Sequence, residues 1–347
     1  MSGYHVAPAD GLVKLDAMEN PYQLPQNLRT QLASQLAALP VNRYPAPDYG
    51  ELKDIIARVY DIPATARVVL GNGSDELILM LSMAVAGSGQ PIVAPAPSFV
   101  MYGISGQLAG ARFVGVNLTP DLMLDGSAML AAIAAEQPAL VYIAYPNNPT
   151  GACFDDEVIE RIITRAPGLV VLDEAYFPFA GKTWMQRLTQ FPNLIVMRTV
   201  SKIGLAGIRI GYLAADPAIA AQLEKVRPPY NISVLDEAAA VFALNHIDVL
   251  DEQAALVRGG RQAQADGLAA LPGLTVFPSM ANFLLVRVPD ADKVHAGLLK
   301  RRVLVRNVTK MHPLLSNCLR ITVSTPQENA LLLQAMSETL SSLSTQA

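Results

Sequence analysis

Residues 194–212 read Leu194-Ile-Val-Met-Arg-Thr-Val-Ser-Lys-Ile-Gly-Leu-Ala-Gly-Ile-Arg-Ile-Gly-Tyr212. The apolar run at its start, through Met197, predicts a buried strand, which ends in polar residues and a glycine-rich loop. A lysine held among apolar groups, such as Lys202, loses hydration, so its pKa falls and its amine can form a Schiff base with an aldehyde. Arg209, a few residues later, suits a fixed anion such as a phosphate. Read alone, the stretch also fits two ordinary basic residues beside a loop.

The composition narrows the possible functions. With 347 residues, the chain has room for about two domains and a large core. No apolar run approaches the ~18 residues of a membrane span, and the N-terminus lacks the basic and apolar regions of a signal peptide, so we expect a cytoplasmic protein with no membrane partner. A net charge of −4 without a basic block argues against nucleic acid as a partner. Two cysteines predict no disulfide framework, and four histidines without metal-ligand spacing predict no metal.

Polar residues follow four of the apolar runs that we predict to be strands. These polar residues are Ser74, Asn148, Asp173 and Lys202. Near-continuous apolar strands separated by helices predict a mostly parallel sheet covered on both faces, and such sheets bind ligands at the carboxyl ends of their strands. We therefore expect these four side chains to meet at one edge of the sheet.

Neighbouring segments also have purely structural interpretations. The sequence Gly71-Asn-Gly-Ser-Asp-Glu76 is a glycine turn that opens a helix, with Ser74 available as an N-cap, and its free amides could bind an anion. It lacks the Gly-Lys-Ser/Thr ending of a P-loop and the third glycine of a dinucleotide fingerprint. Phe99 and Tyr102, which follow another apolar run, are aromatic residues of the kind usually found in a core.

The predicted elements divide the chain into three parts. Residues 1–40 form a proline-dotted arm with one short helix, which we expect to pack on another domain or on a partner subunit. Residues 41–233 form the large domain. Residues 234–347 form a smaller α+β domain, which opens with a helical stretch to about residue 271 and a break near glycines 259 and 260. The fold class is therefore α/β.

Four motifs, in this order, are similar to those of one enzyme family. They are Gly71-Asn-Gly-Ser-Asp-Glu76, Asn147-Asn-Pro-Thr-Gly151, Asp173-Glu-Ala-Tyr176, and Ser201-Lys202 followed by Gly207-Ile-Arg209. The chain resembles the fold-type I pyridoxal-phosphate (PLP) aminotransferases over most of its length, from Glu19-Asn-Pro-Tyr22 to Leu319-Arg-Ile-Thr-Val323. The resemblance implies a mostly parallel sheet covered by helices in a large domain, together with a smaller α+β domain.

The resemblance assigns the PLP cofactor to named residues. Lys202 would carry PLP as a Schiff base, and Asp173 would pair with the pyridine nitrogen. Tyr176 and Asn148 would hydrogen-bond the ring's O3′, and Phe99 would stack on the ring. The cofactor phosphate would be bound by Gly73, Ser74, Thr199, Ser201 and Arg209.

The resemblance also implies a dimer and a reaction. Tyr44 would reach the cofactor phosphate in the neighbouring subunit, which requires a homodimer. The expected reaction is that of the members acting in histidine biosynthesis, in which L-histidinol phosphate and 2-oxoglutarate give imidazole-acetol phosphate and L-glutamate. Arg320 would bind the anionic end of the substrate, and its helpers would be Arg306, Tyr22 and Asn148.

Two departures and three alternatives accompany this expectation. Met18 stands where relatives commonly have asparagine, and the interval from Lys202 to Arg209 is one residue shorter than in many of them. A PLP-dependent threonine-phosphate decarboxylase and an aromatic amino-acid aminotransferase would share nearly all the cofactor motifs. A non-enzymatic PLP-sensing regulator is disfavoured, because such proteins carry an added DNA-binding domain and this sequence has no basic extension.

Overall fold

The computed structural model describes residues 8–344, which form two β-sheets and the helices that flank them. The strands are β1 (Val13–Leu15), β2 (Arg67–Asn72), β3 (Ile92–Ala96), β4 (Phe113–Asn117), β5 (Leu140–Ala144), β6 (Leu169–Asp173), β7 (Leu194–Thr199), β8 (Ile210–Ala215), β9 (Thr275–Val276), β10 (Phe283–Arg287), β11 (Val303–Asn307) and β12 (Cys318–Thr322). The helices are α1 (Gln26–Ala37), α2 (Gly50–Val59), α3 (Gly73–Ala86), α4 (Met101–Leu108), α5 (Gly126–Glu136), α6 (Asp156–Arg165), α7 (Phe177–Ala180), α8 (Pro217–Leu223), α9 (Val234–Leu244), α10 (Ile247–Ala269), α11 (Ala291–Lys300) and α12 (Pro326–Ser344).

The larger sheet has seven strands in the order β2-β8-β7-β6-β5-β3-β4. Neighbouring strands run parallel except at β8, which is antiparallel to both β2 and β7. The central strands are almost continuously apolar because both of their faces are buried. In β5, Val141 and Ile143 enter the core on one face, while Leu140 and Tyr142 enter the core on the other. The mostly parallel α/β sheet predicted from the sequence is confirmed.

The carboxyl ends of four parallel strands lie at one edge of this sheet. β2 runs parallel to β5, β6 and β7, since β8 reverses the direction between β2 and β7. The polar residues that end or follow these strands are Ser74, Asn148, Asp173 and Lys202. The strand order therefore places the four predicted residues at the same edge of the larger sheet.

The smaller sheet has the order β1-β11-β12-β10-β9. Its first strand, β1, comes from the N-terminal arm and pairs in parallel with β11, with Val13 opposite Val303. The remaining pairs are antiparallel, and α10, α11 and α12 pack against the sheet. Within one chain, the arm therefore packs on the smaller α+β unit.

The helical sequence after residue 234 forms two helices. Asn245 and His246 separate α9 from α10, and α10 runs without interruption through Gly259 and Gly260. The break predicted near those glycines is therefore wrong. A glycine inside a helix costs only about 1 kcal/mol relative to alanine, and tertiary packing of a long helix outweighs that cost.

These two helices show where the two cores meet. α9 packs on α1 and α2, and its residues Ala240 and Ala243 belong to a core beneath the larger sheet. Ala254 and Val257 of α10 belong instead to the core of the smaller sheet. We therefore propose that the division between the large and small domains lies within α10 rather than at residue 234.

Two strands have no counterpart among the sequence predictions. β1 has three residues, which are too few for a periodic pattern. β4 lies at the edge of the larger sheet, is only partly buried and contains Gly115, so its sequence carries no continuous apolar run. Both strands are recognisable only from their pairing with distant segments.

A buried ion pair joins the ends of β6 and β7. Glu174 directly follows β6, Arg198 lies in β7, and their side chains are 0% and 2% exposed. The Arg198 Nη2 and Nε atoms donate to Glu174 Oε2 over 2.8 and 3.0 Å, and Glu174 Oε1 accepts from the Trp184 amide over 2.6 Å. The pair fixes the relative position of the two strands whose ends carry Asp173 and Lys202.

The substitution Arg198→Met should destabilise the protein by about 3–5 kcal/mol, because it leaves the Glu174 carboxylate buried without its partner. Urea denaturation followed by circular dichroism measures this free energy of unfolding. The matched control is Arg301→Met, which removes a partly exposed ion pair with Glu338 and should change stability much less. Equal losses in the two variants would contradict a structural role for the buried pair.

Candidate active site

A cavity of about 630 Å³ opens at the carboxyl edge of the larger sheet, and the N-terminal arm and the smaller sheet complete its wall. Eleven of the fourteen residues predicted for the site line it. They are Ser74, Phe99, Asn148, Asp173, Tyr176, Thr199, Ser201, Lys202, Arg209, Arg306 and Arg320. The other three are Gly73, Tyr22 and Tyr44. Residues far apart in the sequence thus share one cavity.

Lys202 lies in a tight turn, Ser201–Leu205, that follows β7. The turn requires Gly204, whose φ of +136° disfavours any side chain and whose Cβ position is already approached to 3.0 Å by a neighbouring side chain. The Lys202 Nζ donates a hydrogen bond to the Ala17 carbonyl over 3.2 Å. Withdrawal from water, together with the smaller effect of the positive charge of Arg320, lowers the pKa of Lys202 to about 8. A sizeable fraction of this amine is therefore neutral and nucleophilic at mildly alkaline pH.

Asp173 ends β6 and is almost completely buried. Its Oδ2 accepts a hydrogen bond of 2.7 Å from the Tyr102 hydroxyl, and its Oδ1 accepts one of 3.1 Å from the Ala175 amide. Burial raises the pKa of Asp173 to about 6, although both hydrogen bonds act to lower it. Tyr102, for which the sequence indicated only a core position, is therefore also part of the site.

The start of α3 and the loop after β7 form a region of the cavity that we call the anion end. α3 begins at Gly73, with a φ of +76°, so Ser74 lies in the first turn rather than at the N-cap position. A Cβ on Gly73 would lie 2.7 Å from Arg209 Nη2, so glycine allows the guanidinium to approach this backbone. The Thr199 hydroxyl donates to Ser201 Oγ over 2.8 Å. Amides at a helix start, hydroxyls and a guanidinium together suit a phosphate.

Asp75 places a negative charge beside the anion end. Its Oδ2 lies 3.5 Å from Arg209 Nη2, and the two side chains are each about half exposed. Asp75 also lies in the first turn of α3, where a carboxylate interacts favourably with the positive end of the helix dipole. The pair orients Arg209 while offsetting part of its charge.

A hydrogen-bonded network joins the smaller sheet to the loop after β5. Arg320 Nη1 donates to Asn148 Oδ1 over 2.7 Å, and its Nη2 donates to the Asp16 carbonyl over 2.8 Å. Asn148 Nδ2 donates to the Tyr176 hydroxyl over 3.2 Å, and that hydroxyl lies 3.5 Å from Met18 Sδ. These contacts hold the nearly buried Arg320 guanidinium against the cavity.

Arg306 stands directly opposite Arg320 in the register of β11 and β12. Both side chains line the cavity. Guanidinium groups present several N–H donors in a plane, which matches a carboxylate or a phosphate. The smaller sheet therefore supplies the cavity with a second region suited to anions.

Met18 adds an apolar wall to the cavity on a strained backbone. Its φ of +54° lies in the left-handed region, which asparagine adopts more readily than methionine. The Met18 amide donates to Thr322 Oγ1 over 3.0 Å, and its carbonyl accepts from Asn282 Nδ2 over 3.0 Å. These two bonds hold the arm in this conformation with a methionine at position 18.

Tyr22 and Tyr44 lie elsewhere in the single chain. Within residues 8–344, neither side chain lines the cavity. Tyr22 packs on the core of the smaller sheet. Tyr44 is 79% exposed and stacks on Tyr230, with the ring centroids 4.6 Å apart. A role for Tyr44 in this site therefore requires a second copy of the chain and stays a prediction.

Residues 8–344 contain neither a candidate membrane-spanning helix nor a cluster of metal ligands. In that range, no helix is both long enough and apolar enough to cross a membrane. The His, Cys, Asp and Glu side chains of the same range form no group of three or more that could hold a metal ion.

The chain is similar in sequence and in fold to known proteins. The family model described as "Aminotransferase class I and II" matches residues 10–336. The chain is 58% identical over 98% of its length to histidinol-phosphate aminotransferase 2 of Cupriavidus pinatubonensis, of which 94% is covered. The histidinol-phosphate aminotransferase of Sinorhizobium meliloti, solved in complex with pyridoxal-5′-phosphate, is 28% identical, with a TM-score of 0.87 over 99% of this chain and 96% of that one. The L-threonine-O-3-phosphate decarboxylase of Porphyromonas gingivalis shares the fold at 22% identity, with a TM-score of 0.82 over 95% of this chain and 100% of that one.

The lowered pKa of Lys202 predicts a pH-dependent contribution to stability. Between pH 8 and the ordinary lysine pKa of 10.5, the unfolded chain binds more protons at this residue than the folded protein, so stability rises with pH across that window. The variant Lys202→Met lacks the titrating group, so it should be more stable than the parent at neutral pH, and the difference should shrink as the pH approaches 10.5.

Urea denaturation of the parent and the variant, both prepared without cofactor, at a series of pH values measures this difference. The matched control is Lys293→Met, at a position whose side chain is 69% exposed, and it should show no comparable pH trend. A stability difference between Lys202→Met and the parent that stays constant with pH would contradict the lowered pKa.

Proposed function

The chain belongs to the aminotransferases of class I and II, and on this basis we propose that it transfers the amino group of L-histidinol phosphate to 2-oxoglutarate in L-histidine biosynthesis. The products would be imidazole-acetol phosphate and L-glutamate. The observation that carries the proposal is a single cavity in which a lysine amine of lowered pKa lies close enough to Arg209 and Arg320 to respond to their charges. The similarity to proteins named histidinol-phosphate aminotransferase supports this choice of substrate.

We propose PLP as the cofactor, because the residues present fit it. For the phosphate, the anion end offers Gly73, Ser74, Thr199, Ser201 and Arg209. Lys202 offers an amine of lowered pKa to the aldehyde, and Asp173 offers a buried carboxylate to the pyridine nitrogen. When bound, PLP supplies an aldehyde to which amines add and a protonated ring that withdraws electrons from the substrate carbon. The cavity, at about 630 Å³, lies within the usual size range of cofactor sites.

Lys202 would act twice in the reaction. Its amine would hold the cofactor, and in its free form it would serve as the general base that moves a proton to or from the substrate carbon. A pKa of about 8 suits this role, since the amine can accept and release a proton near neutrality. The Ala17 carbonyl, 3.2 Å from Nζ, would keep the released amine directed towards the arm.

Four residues would set the properties of the cofactor ring. Asp173 would keep the pyridine nitrogen protonated through an ion pair, which is stronger in a site shielded from water. Tyr176 and Asn148, which are hydrogen-bonded to each other over 3.2 Å, would both bond the ring's O3′. Phe99 lines the cavity and meets Tyr102 edge-on, and it would stack on the face of the ring.

Both proposed substrates are anions, and we assign their binding to Arg320. Arg306 and Asn148, which line the cavity with it, would help, whereas Tyr22, which the sequence predicted for this role, lies outside the cavity of the described chain. A planar guanidinium fits a phosphate monoester and a carboxylate equally well. Arg320 is already held by Asn148 and the Asp16 carbonyl, so an incoming anion would meet a guanidinium in fixed position.

The proposal predicts a reversible spectral change. PLP-loaded protein mixed with L-histidinol phosphate, without a keto acid, should lose the absorbance of the bound aldehyde form and gain that of pyridoxamine phosphate. Adding 2-oxoglutarate should restore the first spectrum, because the second half-reaction repeats the first in reverse. Lys202→Ala should not show the change, because it lacks the proposed base. A parent protein whose spectrum stays constant would reject L-histidinol phosphate as the substrate.

The same assay separates the two alternative reactions. Threonine phosphate in place of L-histidinol phosphate should release no carbon dioxide, whereas a PLP-dependent threonine-phosphate decarboxylase would release it. Aromatic amino acids should convert the cofactor more slowly than L-histidinol phosphate, whereas an aromatic amino-acid aminotransferase would show the opposite order. Released carbon dioxide would therefore identify the decarboxylase, and a preference for aromatic amino acids would identify the aromatic amino-acid aminotransferase.

We propose further that the protein is a homodimer in which Tyr44 reaches the anion end of the partner subunit. The stacked rings of Tyr44 and Tyr230 are 79% and 43% exposed, which is unusual for an aromatic pair. Tyr230 adjoins Asn231, whose side chain donates to Glu76 in the first turn of α3 over 2.6 Å. The exposed pair is therefore available to a second copy of the chain, which would cover it and receive Tyr44 at its own anion end.

Mixed dimers test the shared site. One chain carries Lys202→Ala and the other carries Tyr44→Ala, so that after subunit exchange one site of each mixed dimer combines an intact lysine with an intact tyrosine. The activity of the mixture should exceed that of either variant alone, because neither homodimer has such a site. An activity equal to the average of the separate preparations would contradict the contribution of Tyr44 across the interface.

We also propose a cytoplasmic location, the compartment in which thiols stay reduced. In the described structure, Cys153 and Cys318 both carry free thiols, which supports this proposal. Burial raises the pKa of Cys153 to about 12, so its thiol is held in the unreactive protonated form.

A further inference from the structure

Tyr102 makes a contact that core packing alone does not require. It lies in α4 and is fully buried. A buried tyrosine hydroxyl needs a hydrogen-bond partner, and a backbone carbonyl would suffice. The partner here is the Asp173 carboxylate, which accepts over 2.7 Å. A hydrogen bond to an ionised carboxylate is shorter and stronger than one to a neutral group.

With the hydrogen bond from Tyr102, both oxygens of the Asp173 carboxylate accept a hydrogen bond. Tyr102 donates to Oδ2, and the Ala175 amide donates to Oδ1 over 3.1 Å. With one donor on each oxygen, the carboxylate plane cannot rotate freely. Burial favours the protonated acid, and both hydrogen bonds oppose that tendency.

Tyr102 is itself held rigidly. Its ring stacks on the ring of Tyr142, with the centroids 4.4 Å apart and the planes at 3°. The Tyr142 hydroxyl donates to the carbonyl of Ile78, in α3, over 3.2 Å. Burial and the neighbouring Asp173 raise the pKa of Tyr102 well above its ordinary value, so its hydroxyl remains a donor. The ring therefore cannot turn its hydroxyl away from the carboxylate.

We propose that Tyr102 is a positioning residue that holds the Asp173 carboxylate ionised and correctly turned to receive the pyridine N–H of the cofactor. The inference rests on the proposed PLP chemistry and adds to it a residue outside the set predicted from the sequence. Without the Tyr102 hydroxyl, the buried Asp173 carboxyl group would keep its proton more readily. It would then donate a hydrogen bond to the pyridine nitrogen instead of accepting one from it. The ring would then lose the positive charge that makes it withdraw electrons.

The test compares Tyr102→Phe with the matched control Tyr142→Phe. Both remove one buried hydroxyl from the same stacked pair, but only the first hydroxyl contacts Asp173. Both variants retain their rings, and Asp173 can take up a proton, so we expect both to fold. Circular dichroism and thermal unfolding check this directly.

Two ligands separate positioning from a merely structural effect. One is PLP, and the other is its carbocyclic analogue, in which carbon replaces the pyridine nitrogen. Equilibrium dialysis should show that Tyr102→Phe binds PLP about tenfold more weakly than the parent, as expected for the loss of a hydrogen bond to a charged group. Its affinity for the analogue should stay close to that of the parent, and Tyr142→Phe should bind both ligands like the parent.

A spectroscopic measurement reports the ring directly. The nitrogen NMR signal of PLP labelled at the pyridine nitrogen should move towards its neutral value in Tyr102→Phe and keep its protonated value in Tyr142→Phe. Equal weakening of PLP and its analogue, or an unchanged nitrogen signal, would overturn the positioning role. A parent protein that fails to bind PLP would overturn the proposed function instead, so the two failures are distinguishable.

Discussion

Withdrawal of two ionisable groups from water, at the ends of adjacent strands, is the constraint on which this site depends. Asp173 ends β6, Lys202 follows β7, and the two strands pair in parallel. Desolvation raises the pKa of the acid to about 6 and lowers that of the amine to about 8, so both can exchange protons near neutrality. This desolvation disfavours both the ionised Asp173 carboxylate and the protonated Lys202 amine. The buried ion pair of Arg198 and Glu174 keeps β6 and β7 in register below these two residues.

The N-terminal arm completes the cavity from the side of the smaller sheet. Its strand β1 belongs to that sheet, while the carbonyls of Asp16 and Ala17 accept hydrogen bonds from Arg320 and Lys202. The arm therefore links the amine to the arginine through backbone atoms, which side-chain substitutions in the arm do not remove. The Met18 side chain forms part of the cavity wall and takes no part in these backbone hydrogen bonds.

Most of the site follows from the sequence, because long apolar runs determine the central strands and parallel strands deliver the polar residues after them to one edge. The remainder depends on contacts that local patterns do not report. The hydrogen bond from Tyr102 to Asp173 joins residues 71 positions apart. The glycines at 259 and 260 weaken a helix locally, but the packing of α10 decides its length. The role proposed for Tyr44 requires a second copy of the chain, so the single subunit does not define it.

The two anion-binding regions of the cavity differ in physical character, and this difference fits two kinds of ligand. At the anion end, Asp75 offsets part of the Arg209 charge, so attraction for a phosphate rests largely on oriented amides and hydroxyls. At the smaller sheet, Arg306 and Arg320 lie side by side in register and contribute two guanidinium groups. Oriented amides favour one fixed geometry, as a resident phosphorylated cofactor requires, whereas guanidinium groups accept anions of different shape. In the proposed function, this division allows the cavity to keep its cofactor while it exchanges a phosphate monoester for a dicarboxylate.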